Sequence, residues 1–91
     1  MKAKDYAARY NSDPTDKVLV DIAVDFHKET ADLLVARGVE SIEGFMAVLR
    51  EVDDKWQAFA GRCGGKVNIH GFRVTMHTIY PEAAMVAWPK K

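Results

Sequence analysis

Three histidines, one cysteine and two rows of carboxylates are the side chains of this sequence with chemistry to offer. His70 and His77 stand seven apart, which on a helix puts them two turns apart along one side. Metal sites prefer ligands three or four residues apart on a helix, or support from Cys or carboxylate, and neither histidine has such a companion. His27 has Asp25 and Glu29 near it in sequence but not on its helical face. No metal and no cofactor is therefore expected. Cys63 lies between Arg62 and Lys66 in a glycine-rich turn, where nearby cations would favour the reactive thiolate. No histidine stands close enough in sequence to serve it as a base. Gly64-Gly65-Lys66 is not a phosphate loop: Gly61 lies four before Gly65, and Val67 takes the place of the required Ser or Thr. With no nucleophile, base and orienting group in a shared motif, the chain reads as non-enzymatic.

The carboxylates are more suggestive. Asp21, Asp25 and Asp32 fall on one side of a helical segment, interrupted by Lys28, and Glu43, Glu51, Asp53 and Asp54 are expected on the outer side of the next. Rows of carboxylate at helical-turn spacing resemble a line of phosphates and can steer a basic partner. They can equally form pairs four residues apart, and Lys17–Asp21, Arg50–Asp54 and Glu51–Lys55 are all available for that. The net charge of zero hides a division. Residues 1–60 carry eight Lys/Arg against twelve Asp/Glu, net −4, and residues 61–91 carry five against Glu82 alone, net +4. The basic residues Arg62, Lys66, Arg73, Lys90 and Lys91 are scattered and not gathered into a stripe, which does not favour nucleic acid as the partner.

The elements that must position these groups are helical. A short helix over 2–10 sets Tyr6 and Tyr10 on one face. Asp13 as N-cap and Pro14 at the first position would start a second helix, 14–37, whose apolar residues Leu19, Ile22, Phe26, Leu33 and Leu34 recur at three- and four-residue steps. Arg37-Gly38 ends it. Ser41 caps a third helix in which Ile42, Phe45, Leu49, Val52, Trp56 and Phe59 keep a strict heptad pattern, closed by Gly61. A connection of only four residues, 38–41, suggests that the two long helices fold back as an antiparallel hairpin. Phe26, Leu49, Trp56 and Phe59 are expected to be structural. Two helices cannot cover all this apolar surface, so the N-terminal helix, the C-terminal segment or a second chain must pack there.

The last third is ambiguous. Ile69, Phe72, Met76 and Tyr80 would line one face of a helix capped by Asn68, whereas Phe72, Val74, Met76, Thr78 and Tyr80 alternate as in a strand. A helix over 69–79 is favoured, because a lone strand pair of this length is marginal. Pro81 ends that element and opens a short helix running to Trp88. The aromatic and methionine content of this tail suits either an interface or a cover for the long helices. The expected fold is all-α: one domain over 1–91, with 62–66 a flexible turn before the C-terminal segment. Composition is that of a globular chain, with 48% hydrophobic and 29% charged residues. Its longest apolar runs fall far short of the roughly 20 residues needed to span a bilayer, so no membrane role is expected. Met1–Asp5 leads into a polar stretch and not into the apolar core of a secretory leader, and a lone cysteine suits a reducing cytoplasm.

One stretch carries a resemblance. Arg37-Gly38-Val39-Glu40, Glu43-Gly44, Lys55-Trp56, Val67-Asn68, His70-Gly71 and Arg73-Val74 resemble the C-terminal half of a phage-encoded anti-CRISPR family directed against type I-E systems. The likeness covers residues 33–74, and its most specific part is Lys-Trp followed by Val-Asn-x-His-Gly-x-Arg-Val. The chain departs from the family in extra residues around Cys63-Gly64-Gly65 and in an aromatic, basic end where the family's is acidic. The resemblance implies a small, all-helical, dimeric protein of a phage or mobile element. It would act in the host cell by binding a CRISPR component, either the nuclease-helicase or the surveillance complex. The residues expected to carry the contact are His70, Phe72, Arg73, His77 and Tyr80 in the tail, with Asp21, Asp25 and Asp32 as a second surface. Two other readings stand beside it: a DNA-associated phage regulator or packaging accessory using the basic residues, and an assembly subunit of a larger complex.

Overall fold

A computed structural model describes residues 2–89; Lys90 and Lys91 of the basic set lie outside the described residues. The described chain is all-α, without a strand: α1 Ala3–Ser12, α2 Asp16–Ala36, α3 Ile42–Gly61, α4 Gly71–Ile79 and α5 Pro81–Ala87. Among the described residues no helix is long and apolar enough to cross a membrane.

Helix ends follow local chemistry. The α2 N-cap is Thr15, not Asp13: its Oγ1 accepts the Val18 N–H at 3.3 Å, while the Asp13 N–H closes α1 on the Arg9 and Tyr10 carbonyls. Thr15 is extended, so Pro14 precedes the cap and does not occupy the first helical position. At the other end Gly38 takes φ +57°, and the Gly38 and Val39 N–H groups donate to the Val35 and Leu34 carbonyls. This left-handed closure satisfies carbonyls that the helix itself cannot. Ser41 caps α3 through its Oγ, which accepts the Gly44 N–H at 3.1 Å.

Helix α3 is the centre of the molecule and touches all four others. On one side Phe59 meets Phe26 of α2 and Tyr6 and Tyr10 of α1, and Trp56 meets Phe26, with ring centroids between 5.2 and 6.4 Å. These tilted and edge-on contacts suit the ring quadrupoles. Along α2 the partners Phe26–Trp56, Glu29–Lys55 and Arg37–Glu51 step backward through α3 as α2 advances. On the other side α4 and α5 cover Val48, Leu49, Val52 and Asp53.

Two sequence expectations change here. The ion pairs join helices to one another: Arg9–Asp21, Arg37–Glu51, Lys55–Glu29 and Arg73–Asp53 form in place of the Lys17–Asp21, Arg50–Asp54 and Glu51–Lys55 pairs within helices. Arg50 instead donates to the Ala87 carbonyl at 3.0 Å and holds the end of α5. Asp53, expected on the outer side of α3, is 1% exposed because α4 lies over it.

Residues 71–79 are helical because Phe72 and Met76, four apart, both enter the core while Val74 between them is 60% exposed. A strand would have put all three on one face. The start of α4 is fixed by Trp56, whose Nε1–H donates to the Asn68 carbonyl at 2.9 Å. Asn68 Oδ1 accepts the His70 N–H, and the helix begins at Gly71 with no side-chain cap from Asn68. A Cβ at Gly71 would stand 3.0 Å from Trp56 Cζ2 and 3.4 Å from Cε2. The indole is rigid and hydrogen-bonded, so it cannot yield cheaply. Gly71→Ala is therefore expected to lose about 1–2 kcal/mol by chemical denaturation, despite alanine's better helix propensity. A stabilised Gly71→Ala variant would contradict this contact.

Candidate functional site

Two surfaces stand out once the helices are placed. The first is the outer face of α4 with the end of α5. His70, Val74 and His77 share one side of α4 by their spacing, His70 exposed and His77 half-buried. Beside them the Arg73 guanidinium lies 5.3 Å from the centre of the Trp88 ring, and the His77 ring is 6.3 Å from it. Arg73 is held from beneath: its Nε and Nη2 both donate to Asp53 Oδ2 at 3.3 Å, and Gln57 donates to the same oxygen at 2.7 Å. A planar guanidinium gripped by a carboxylate and stacked on an indole is a rigid, preorganised group.

Sequence reasoning had assigned five tail residues to contact, and the structure separates them. His70 and His77 reach solvent. Arg73 is about one-third exposed and keeps one side for Asp53. Phe72 is moved to the core: it is 2% exposed, lies edge-on to Trp88 at 6.5 Å, and cannot meet a partner in this fold. Tyr80 is half-buried and packs edge-on against Phe45 at 5.0 Å, where it anchors the α4–α5 junction. Val74 and Trp88 are the members of this surface that the sequence did not single out. Val74 stood in the sequence only within the Arg73-Val74 of the resemblance and in the strand-like alternation, and its exposure follows from the helical period that buries Phe72 and Met76.

The second surface is an open groove between α1 and α2, with Lys55 of α3 on its wall. Asp25 and Asp32 line it together with Glu29, which the sequence reading had left out, and Lys2, Lys28 and Lys55 alternate with them. Glu29 is bonded to Lys55. Asp21 is not part of the groove; its Oδ2 faces Arg9 of α1 at 3.4 Å. At the groove floor the Tyr6 hydroxyl has its pKa raised, by burial first and then by the charges of Asp25 and Glu29, with Arg9 opposing. The groove is thus of mixed charge and not a uniform acidic strip.

The remaining chemistry is structural. Cys63 is buried, its Sγ–H donating to the Phe59 carbonyl at 3.3 Å, and burial raises the thiol pKa against the weaker pull of Lys66. That is the reverse of the activated thiol that the neighbouring cations suggested. His27 has its pKa lowered by partial burial on α2. Among the described residues no group of three or more His, Cys, Asp or Glu side chains gathers to hold a metal ion.

No family model matches the chain, and no curated protein or solved structure is similar enough to lend it a fold or an activity. Function must therefore be argued from these two surfaces and from the sequence.

Proposed function

We propose that the protein is a non-catalytic inhibitor of a phage or mobile element, acting in the host cytoplasm as a homodimer. It would block a CRISPR component, the nuclease-helicase or the surveillance complex, by occupying that component's surface. One observation supports this above others. The residues most specific to the type I-E anti-CRISPR resemblance meet at the α3–α4 joint: Trp56 bonds to Asn68, Gly71 lies against its ring, and Val67 is buried beside them. That joint sets the direction in which α4 presents His70, Val74 and His77 to solvent. The shared residues thus hold a surface in place, which is how a binding protein without chemistry would use them. Arg and Trp rigidly paired beside an exposed apolar residue are also what protein interfaces concentrate at their energetic centres. The mixed-charge groove of α1 and α2 is the second contact surface of this reading.

The test is phage infection of a bacterium with an active type I-E system. Expression of the protein is expected to restore plaquing by orders of magnitude, and Val74→Glu with His77→Glu should abolish that effect while the purified variant stays helical. Unchanged plaquing by the wild-type protein would overturn the inhibitor reading. Co-purification of DNA with steep salt dependence would move the assignment to the DNA-associated regulator. Stoichiometric recovery of phage structural proteins would move it to the assembly subunit.

A further inference from the structure

Helix α2 is apolar on two opposite faces, and only one of them is used. Val18, Ile22, Phe26 and Thr30 are buried toward α1 and α3. On the reverse side Val20, Val24, His27, Ala31 and Leu34 follow one another at steps of four, three, four and three, the a/d spacing of a coiled coil. Its central members are open among the described residues: Val20 is 60% exposed, Val24 48%, and Val35 at the stripe's edge 82%. Ala31 is exposed, His27 is half-buried, and Leu34 at the end of the stripe packs in part against the core. The stripe runs nearly the length of the 21-residue helix, and partial burial already favours the uncharged imidazole of its one titratable member.

The charges beside this stripe say what covers it. In an antiparallel helix pair related by a two-fold axis, each flank meets the same flank of the other copy, reversed. One flank carries Asp21 and then Lys28, so on reversal each acid faces a base. At the two ends of the other flank the reversal sets the exposed Asp16 against the exposed Arg37, while Ala23 and Thr30 between them turn toward the core and take no part in the contact. One register satisfies the seam and both flanks together. Val24 faces His27 of the second copy, Val20 faces Ala31, and Leu34 meets the aliphatic stem of Lys17. In that register Asp21 pairs with Lys28 and Asp16 with Arg37. A parallel pair would bring opposite flanks together and place Lys28 beside Ala23 or Thr30, with no charge to answer it. Asp21 has Oδ1 free for this contact, since Arg9 takes Oδ2. Arg37 would be shared between Asp16 of the second copy and its own Glu51.

We infer that the outer face of α2 is a self-association surface on which a second copy of this chain docks antiparallel through Val20, Val24, His27, Ala31 and Leu34, in a register fixed by Asp21–Lys28 pairs. The inference rests on the homodimer part of the function proposed above and names its surface; it is independent of which host component is bound. It leaves the α4 face free on each copy and draws only Lys28 from the rim of the α1–α2 groove.

Sedimentation equilibrium of the full chain over a range of concentrations tests it. A monomer–dimer equilibrium is expected, and Val24→Glu should raise the dimer dissociation constant roughly tenfold or more with the helical circular dichroism unchanged. Val20→Glu serves as a second probe of the same seam. Lys28→Asp alone should weaken the dimer, and Asp21→Lys with Lys28→Asp should restore it by exchanging the pairs. A chain that stays monomeric at every concentration overturns both the surface and the homodimer. A dimer that ignores Val24→Glu and Val20→Glu, or a charge-exchanged variant no tighter than Lys28→Asp, overturns the surface and leaves the homodimer standing. The plaquing assay is read separately, so failure of the inhibitor reading is not confused with either.

Discussion

Replacing Trp56 with alanine is expected to cost about 3–5 kcal/mol of folding stability. A small domain holds only about 5–15 kcal/mol in all, so the variant should be partly unfolded at physiological temperature. Three losses combine. The indole leaves Phe26 and Phe59, whose ring centres lie 5.2 and 5.3 Å away, with a cavity between them. The Nε1 bond to the Asn68 carbonyl disappears, and with it the tie between α3 and the turn before α4. Gly71 loses the ring it rests against. Chemical denaturation followed by circular dichroism measures the total. Trp56→Phe keeps the aromatic contacts but not the hydrogen bond, and should lie between the two. A Trp56→Ala variant as stable as the parent would show that α4 is not seated on this indole.

Arg73→Ala is expected to cost about 2–4 kcal/mol, well above the loss from truncating an exposed arginine. The reason is Asp53, whose carboxylate is buried with Oδ1 unpaired and Oδ2 supported by Arg73 and Gln57. Removing the guanidinium strands that charge beneath α4 and strips Trp88 of its stacked cation. Arg73→Lys should recover only part of the loss, since an ammonium cannot reproduce the planar stack. The double variant Asp53→Leu/Arg73→Met should regain most of the stability, because a buried ion pair replaced as a unit by apolar groups is often neutral or better. Thermal unfolding of the parent and these three variants measures the series. An Arg73→Ala protein that melts with the parent would mean that water reaches Asp53.

These two residues mark where the sequence could and could not be read. Trp56 was legible because it completes a heptad stripe that begins at a Ser cap and ends at Gly61, so local chemistry and periodicity agreed. Asp53 was not: on a lone helix it falls between the apolar stripe and the outer face, and only the arrival of α4 buries it. The helical identity of α4 was favoured but not forced by the pattern, since Phe72 and Met76 satisfy both periods and Val74 joins them only in a strand. The N-cap of α2 slipped from Asp13 to Thr15 because both residues are good caps and proline tolerates either placement. For the candidate surface, His70 and His77 were visible as polar residues two turns apart. Phe72 went to the core because an aromatic residue in a short tail looks like a contact until the helix beneath it is known, whereas Tyr80 keeps part of its ring in solvent. Val74, Trp88 and Glu29 gained their places from tertiary packing.

The central position of α3 has a consequence for how the molecule opens. The pair α1–α2 and the pair α4–α5 each pack on α3 and hardly on one another. Loss of either pair would leave the other with its platform intact, whereas melting of α3 removes the support of both. Amide protection should therefore be graded, with the α3 interior exchanging only through global unfolding and the short α4 and α5 through a smaller, sub-global release. The surface formed by His70, Val74 and His77 sits on one such unit, so its geometry depends on a local equilibrium that binding would pull toward the closed form.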